Sequence, residues 1–347
     1  MARPTLRDVA ERAYCSVSAA SNILHGRGSL YSEELVRRVL QAAQELGYYP
    51  TRVVRTPAQQ RTYTLALVLE RHHPSPTRNP FNYHVLDGIL STLEPLGYSL
   101  TISMTTALDA GTLWERVCES TAEGALLLAP EIDSPLLEWR RRCAKPAVAI
   151  GSTLPPAYGL PCVDVDNAAS MRELTRWVIE EGHRAIGYVG GHPRYWSALQ
   201  RERAFRDTLA EYGVPVREEW VFEGRYQLES GRDAARQLLQ LAERPTAVLC
   251  ANDLTAIGLM QELQQHGVRV PQDISVAGFD DIPALQSFSP SLTTIHSPMA
   301  DMGREAVKLL LRMIEHGEPA PAEPILLPGT LVVRGSVRPC CRDGEPR

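Results

Sequence analysis

The chain has 347 residues, 44% of them hydrophobic and 22% charged, which is the composition of a soluble globular protein with room for two or three domains. No apolar run reaches the roughly 18 residues of a membrane span, and the charged, amphipathic start lacks the apolar stretch of a secretion signal, so a cytoplasmic protein is expected. The net charge of −5 is uneven: residues 1–61 hold nine arginines against five acidic residues, and the remainder 27 basic against 36 acidic, so only the head suits a polyanion.

The first 50 residues read as three short helices. Thr5 caps the first, and Asp8 three residues later completes a capping-box pattern. Leu6, Val9, Ala10 and Ala13 then form one apolar face. Ser16 caps a second helix with Val17, Ala20 and Leu24 inward and Ser18, Ala19 and Asn22 on the opposite face. Ser32 opens a third, with Glu33 and Glu34 favourable in its first turn; it buries Leu35, Val36, Val39, Leu40, Ala43 and Leu46 and stops at Gly47. Two short helices separated by two or three residues, with a third behind them, suit a helix-turn-helix. Residues 51–61 (TRVVRTPAQQR) have no sustained apolar period and read as a linker.

From Thr64 the pattern changes. Apolar strand-like runs at 65–69, 98–104, 124–129, 146–150, 162–165, 185–189, 247–250 and 274–279 alternate with helical stretches such as 81–96, 168–181, 200–212, 230–241 and 254–265. Such alternation predicts parallel sheets with helices on both faces. This length exceeds one comfortable doubly wound unit, so two lobes are expected, with a ligand cleft beyond the carboxyl ends of their strands. Seven cysteines (Cys15, Cys118, Cys143, Cys162, Cys250, Cys340, Cys341) contain no C-x-x-C spacing; neither a disulfide framework nor a metal or cofactor is expected.

The stretch TLRDVAERAYCSVSAASNILHG, followed by VRRVLQAAQELGYYP, closely resembles the DNA-binding head of lactose-repressor-type (LacI/GalR family) regulators. The resemblance continues through NPF (79–81), VDVDN (163–167), GHRAIGYVGG (182–191), the RxxxF of Arg201 to Phe205, RPTAVLCANDLTAIGLM (244–260), VPQDISVAGFDD (270–281), PSLTTI (290–295) and MGREAVKLLL (302–311), in family order and spacing. It implies an all-α helix-turn-helix head (1–50), a hinge (51–61), and an α/β core (62–338) of two doubly wound parallel-sheet lobes of periplasmic-binding-protein type, then a polar tail (339–347). The lobes are expected at about 62–162 with 295–323, and 163–291 with 325–338. It also implies a homodimer on double-stranded DNA, at a near-palindromic operator, with no membrane partner. The tail after Val337 lacks a heptad seam that would join two dimers.

Val17, Ser18 and Asn22 align with the family's base-reading positions, where Asn suits adenine, Val a thymine methyl and Ser either base. Ser16 and Ser21 suit phosphate contacts, and Arg3, Arg7, Arg27, Arg52 and Arg55 supply charge. Thr5, Ala19 and His25 complete the candidate surface, with Val53 in the hinge. Two departures, Tyr14 where the family often has Gly and Asn22 where it often has Arg, imply an unusual operator. In the hinge, Pro57 stands at the position of the minor-groove leucine wedge and limits any hinge helix to about 51–56.

For the effector, the resemblance implicates Asp280, Arg201, Tyr226 and Asn252, with His72, Phe81 and Trp196 (and neighbouring His73) either lining the near lobe or packing elsewhere. Asp253 is expected to cap the helix from Leu254, and Asp281 to serve as a helix N-cap. Arg201 could instead pair at the surface with Glu202 or Glu219. A sugar or sugar derivative is the expected effector. Several sugar-binding members carry an aspartate near Ser152, and its absence leaves a nucleobase or other metabolite as the alternative. Repression is expected rather than activation, although no residue decides it. An enzyme is not expected: no P-loop, H-E-x-x-H or G-x-S-x-G pattern occurs, and GYVGG at 187–191 lacks the G-x-G-x-x-G spacing. A transport-binding protein would share the core but needs export.

Overall fold

A computed structural model describes residues 4–24, 28–46, 48, 61–70, 79–105, 118–283 and 288–340. The chain divides into two compact units, 1–62 and 63–347.

In the head, helices α1 (Leu6–Arg12), α2 (Val17–Leu24) and α3 (Glu33–Leu46) enclose a small core of Val9, Ala10, Ala13, Ala20, Ile23, Val39, Ala42 and Ala43. The capping box forms: Thr5 N–H donates to Asp8 Oδ2 at 2.7 Å, and Asp8 N–H to Thr5 Oγ1 at 3.4 Å. Ser16 Oγ accepts from Ala19 N–H at 3.1 Å and Ser32 Oγ from Leu35 N–H at 3.4 Å, so both predicted caps hold. The inward face of α2 differs from the expected one. Val17 is 44% exposed, whereas Ala19 is buried. Helical side chains lean towards the N-terminus, so Val17, in the first position, points past the helix end. Leu40 is likewise exposed, and Ala42 takes the buried place on α3.

Helix α1 ends in a Schellman pair, Cys15 N–H to Ala10 O and Tyr14 N–H to Glu11 O, with Tyr14 left-handed at φ 52°. Tyr14 is 88% exposed, so little packing offsets the strain of a non-glycine residue there. Tyr14→Gly is expected to stabilise the head by about 1 kcal/mol, slowing hydrogen exchange of the α1 and α2 amides roughly fivefold. Unchanged or faster exchange would mean that the tyrosine ring is held by contacts worth as much as the strain.

The second unit contains two parallel sheets. Strands β1 (Thr64–Glu70), β2 (Ser99–Thr105), β3 (Gly124–Leu128), β4 (Ala147–Ile150), β5 (Cys162–Val165) and β11 (Ile325–Leu327) form the first, in the order β11-β5-β4-β3-β1-β2. Strands β6 (Ile186–Val189), β7 (Val221–Phe222), β8 (Ala247–Cys250) and β9 (Ser275–Ala277) form the second, in the order β7-β6-β8-β9. The inner strands are apolar, apart from Asp164 on β5, because helices cover both faces; β3, β4, β5, β6 and β8 are buried at every position. Strands β10 (Thr294–His296) and β12 (Thr330–Val332) pair antiparallel where the chain passes between the lobes.

The lobe boundaries need one correction. The expectation put 163–165 and 325–327 in the second lobe, but β5 pairs with β4 and β11 pairs with β5, so both strands close the first sheet. The crossings therefore fall just after β5, after β10 and after β11.

Candidate functional site

A cleft lies between the carboxyl ends of the two sheets, where ligands bind in parallel sheets of this kind. From the first lobe come Leu69 and Glu70 at the end of β1, Leu128 and Ala129 at the end of β3, Gly151 after β4, and Asp164 on β5. From the second come Tyr195, Ser197 and Arg201 near the start of helix Trp196–Glu211, Tyr226 after β7, Asn252 after β8 and Asp280 after β9. Five of the predicted effector residues, Phe81, Arg201, Tyr226, Asn252 and Asp280, thus meet in one place.

Two rings floor this space. Phe81 lies against Gly151, whose φ is 73°, and Tyr226 lies against Gly191; a Cβ at either glycine would collide with its ring. Tyr226 also shares a 3.0 Å hydrogen bond between its hydroxyl and Ser197 Oγ.

The polar wall is built around Arg201. Its guanidinium stacks 3.6 Å from the Phe279 ring centroid, Nε donates to Asn167 Oδ1 at 2.8 Å, and Nη1 donates to the Ala251 carbonyl. It is 5% exposed, which overturns surface pairing with Glu202 or Glu219; Glu202 instead pairs with Arg206 at 2.9 Å. Asp280 faces the same guanidinium at 3.7 Å. Its backbone is strained at φ 119° and held by Asp280 N–H donating to Ile295 O and Ser297 N–H donating to Asp280 O. Burial pushes the Asp280 carboxyl up to about 6 against the opposing pull of Arg201. Among the described residues its carboxylate accepts no hydrogen bond, so its lone pairs are available to a ligand.

Asp164, which the sequence reading did not single out, is the second buried acid of the cleft. It accepts from Thr153 Oγ1 at 2.9 Å, Asn167 Nδ2 at 3.0 Å and Val165 N–H at 2.8 Å, and burial raises it to about 6. The available signal was an acid inside the otherwise apolar strand CVDV. Tyr195, Ser197 and Glu70 also went unnoticed, because nothing in a single loop residue distinguishes a lining position.

Three expectations fail. Asn252, not Asp253, caps helix Asp253–Gln265: its Oδ1 accepts from Thr255 N–H at 3.1 Å. Asp253 lies one residue inside that helix, fully buried, and accepts from Thr294 Oγ1 at 2.6 Å and Ile282 N–H at 2.9 Å. Asp281 is not seen as a cap; it accepts from Arg334 Nη2 at 2.6 Å and lies 3.1 Å from His296 Nδ1, bracing the Asp280 loop. Trp196 is absent from the cleft wall and packs into an apolar cluster of the first lobe.

In the head, Val17, Ser18, Thr5 and Arg7 are exposed, Ser21 and Asn22 are half-buried, and the buried Ala19 is withdrawn from any partner. Ser16 is occupied as a cap, and Thr5 Oγ1 also donates to Asp8 at 2.8 Å. Asn22 Nδ2 donates to Tyr31 Oη at 2.9 Å, which fixes the amide and leaves Oδ1 and one N–H. Arg3, His25, Arg27, Arg52, Val53, Arg55, Pro57, His72 and His73 lie outside the described residues.

A helix-turn-helix joined to a two-lobed core with a polar interlobe cleft defines a ligand-responsive DNA-binding regulator. Residues 5–51 match the family described as "Bacterial regulatory proteins, lacI family", and residues 175–337 match a "Periplasmic binding protein-like domain". The "HTH-type transcriptional repressor PurR" of Photobacterium profundum is 31% identical over 90% of this chain and 92% of its own length. The "Ribose operon repressor" of Haemophilus influenzae is 31% identical over 96% of this chain and 98% of its own. Among solved structures, a "transcriptional regulator CelR-cellobiose complex" is 30% identical with a TM-score of 0.73, covering 96% of this chain and 100% of that one. A lac repressor dimer bound to operator, 24% identical with a TM-score of 0.84 over 97% of this chain and 100% of that one, shares the fold. This chain belongs to the LacI family of transcriptional regulators. It is a DNA-binding transcriptional repressor in class, and its relatives are regulators rather than enzymes. Among the described residues no helix is long and apolar enough to cross a membrane.

Proposed function

We propose that this protein works in the cytoplasm as a homodimeric repressor whose grip on a near-palindromic operator is set by an uncharged, hydroxyl-rich effector, a sugar or sugar derivative, in the interlobe cleft. The observation that carries this reading is the mixed lining, in which each lobe brings a buried acid to the cleft, Asp164 and Asp280, beside apolar surface. The first lobe offers Leu69, Phe81, Leu128 and Ala129, a surface for the C–H face of a ring. The second offers Asp280 as a free acceptor beside Arg201 and Asn252, suited to hydroxyl donors. A thermal-shift series of pentoses, hexoses, disaccharides and nucleobases tests it: a binder at 100 times its Kd adds roughly 2.7 kcal/mol of stability. Stabilisation by nucleobases alone would move the reading to a nucleobase effector.

On DNA, the Tyr31-anchored Asn22 amide is suited to adenine, its Oδ1 accepting from N6 and its remaining N–H donating to N7. Asn22→Ala is expected to relax base choice at one position per half-site, at a cost of about 1–3 kcal/mol for the preferred sequence. An equal loss on every sequence would make Asn22 a backbone contact. Affinity should fall steeply with salt, with a log–log slope near −0.9 per neutralised phosphate.

The dimer face we assign is the exposed apolar stripe of Tyr83 and Leu90 on helix Pro80–Leu93 with Ile102 and Met104 on the edge strand β2. These side chains are 44–52% exposed, and apolar side chains on a strand that is the sheet edge among the described residues suit a second copy.

A further inference from the structure

The loop between β6 and helix Trp196–Glu211 reaches out of its own lobe and fastens to the other. Three contacts hold it. The backbone N–H of Ile132, in the first lobe, donates to the Arg194 carbonyl at 2.8 Å. Arg194 Nε lies 2.7 Å from Glu131 Oε2, and that carboxylate is 1% exposed while the arginine side chain is 46% exposed. Finally, the ring of Trp196 packs against the first-lobe cluster that contains Leu136, Trp139 and Leu154, where it is the single second-lobe contributor among the described residues. The receiving segment is itself anchored: Glu70, at the end of β1, accepts from Glu131 N–H at 3.1 Å and from Ser134 Oγ at 2.5 Å.

We propose that residues 192–196 form a latch that holds the two lobes together across the cleft, and that its release is the step that opens the effector site. The chemistry favours this over incidental contact. A backbone hydrogen bond, a buried carboxylate with a cation, and an indole in an apolar seat are three different interactions made by two residues, Arg194 and Trp196, to the first lobe. Opening would expose the indole and its seat and separate the buried Glu131 carboxylate from the Arg194 guanidinium. The same loop presents Tyr195 and Ser197 to the cleft, so an occupant touching them acts on the latch directly. Trp196 therefore serves the site from outside it, which accounts for its absence from the lining.

The test needs no ligand. Hydrogen exchange is followed by mass spectrometry on the full-length protein, comparing wild type with Arg194→Ala and Trp196→Ala. Neither substitution removes the carbonyl that Ile132 bonds to, so faster exchange at Ile132 reports movement of the loop. The latch predicts that segments 130–134 and 192–196 both exchange about tenfold faster in each variant, with β3 and β6 unchanged. Faster exchange confined to 192–196, with Ile132 protected as in wild type, would overturn it. Should Trp196→Ala fail to fold, Arg194→Ala, changed at a half-exposed position, carries the same two outcomes.

Discussion

Asp280→Asn is expected to abolish the effector response, leave operator binding intact, and make the ligand-free protein more stable at neutral pH. The first effect follows from the loss of a charge-assisted acceptor in a buried site, about 1.5–3 kcal/mol or more than tenfold in affinity. The second follows because the residue sits in the core unit, and the head carries the DNA-reading face. The third follows from burial. The folded carboxyl titrates at about 6, above its ordinary 3.8, so the folded state binds its proton more tightly than the unfolded chain does. A raised carboxyl favours folding fully below the unfolded value and loses that contribution as pH rises through the folded one. Wild type should therefore lose stability between about pH 4 and pH 7, with on the order of 2 kcal/mol of the loss coming from Asp280, and the asparagine variant should show a shallower decline that Asp164 still contributes. Asp164 is raised for the same reason, but its three hydrogen bonds oppose any gain, so Asp164→Asn should be closer to neutral. Thermal denaturation of wild type and both variants at pH 4, 5.5 and 7 reads the trend. A variant at 280 that still responds to a cognate sugar, or that is less stable than wild type at pH 7, removes Asp280 from the role assigned to it.

The parts of this molecule that the sequence made readable are those whose physics is local. The Thr5–Asp8 capping box, the Ser16 and Ser32 caps and the apolar inner strands are each specified by residues within a few positions of one another. Strand β7, of two residues, and β10, β11 and β12, of three, carry no periodicity to read, and their partners lie far away in the chain. That is why β11 was assigned to the wrong lobe: nothing near Ile325 announces that it pairs with Val163. Asn252 takes the cap expected of Asp253 for a related reason. Both can cap a helix, and the choice is made by Thr294, 41 residues away, which claims the aspartate. Trp196 could be read either as a near-lobe lining residue or as a packing residue; the first turn of its helix sends it into the apolar cluster of the opposite lobe. The family resemblance located Arg201, Tyr226, Asn252 and Asp280 because those residues keep their spacing. It could not locate Asp164, whose motif position was quoted without any role attached.

Breaking the dimer should reduce operator affinity more than any substitution in the head. A single helix-turn-helix reads a few base pairs, and the binding energies of two heads combine only when the protein holds them at the half-site spacing. Ile102→Glu places a charge in the middle of the apolar stripe on β2, where a second copy would bury it without a partner, at a cost of several kcal/mol. Leu90→Glu does the same from helix Pro80–Leu93. Both positions are about half exposed in the single chain, so neither change should harm folding, and the melting of each lobe serves as the control. Sedimentation velocity at micromolar protein is expected to show a dimer for wild type and a monomer for each variant. Against an operator selected from random sequence by wild type, each variant should lose at least about a hundredfold in affinity, falling towards the non-specific level. The loss should shrink as protein concentration rises, since mass action restores the dimer, whereas a damaged head would be weak at every concentration. A variant that stays dimeric at nanomolar protein with unchanged operator affinity would place the dimer face elsewhere on the core.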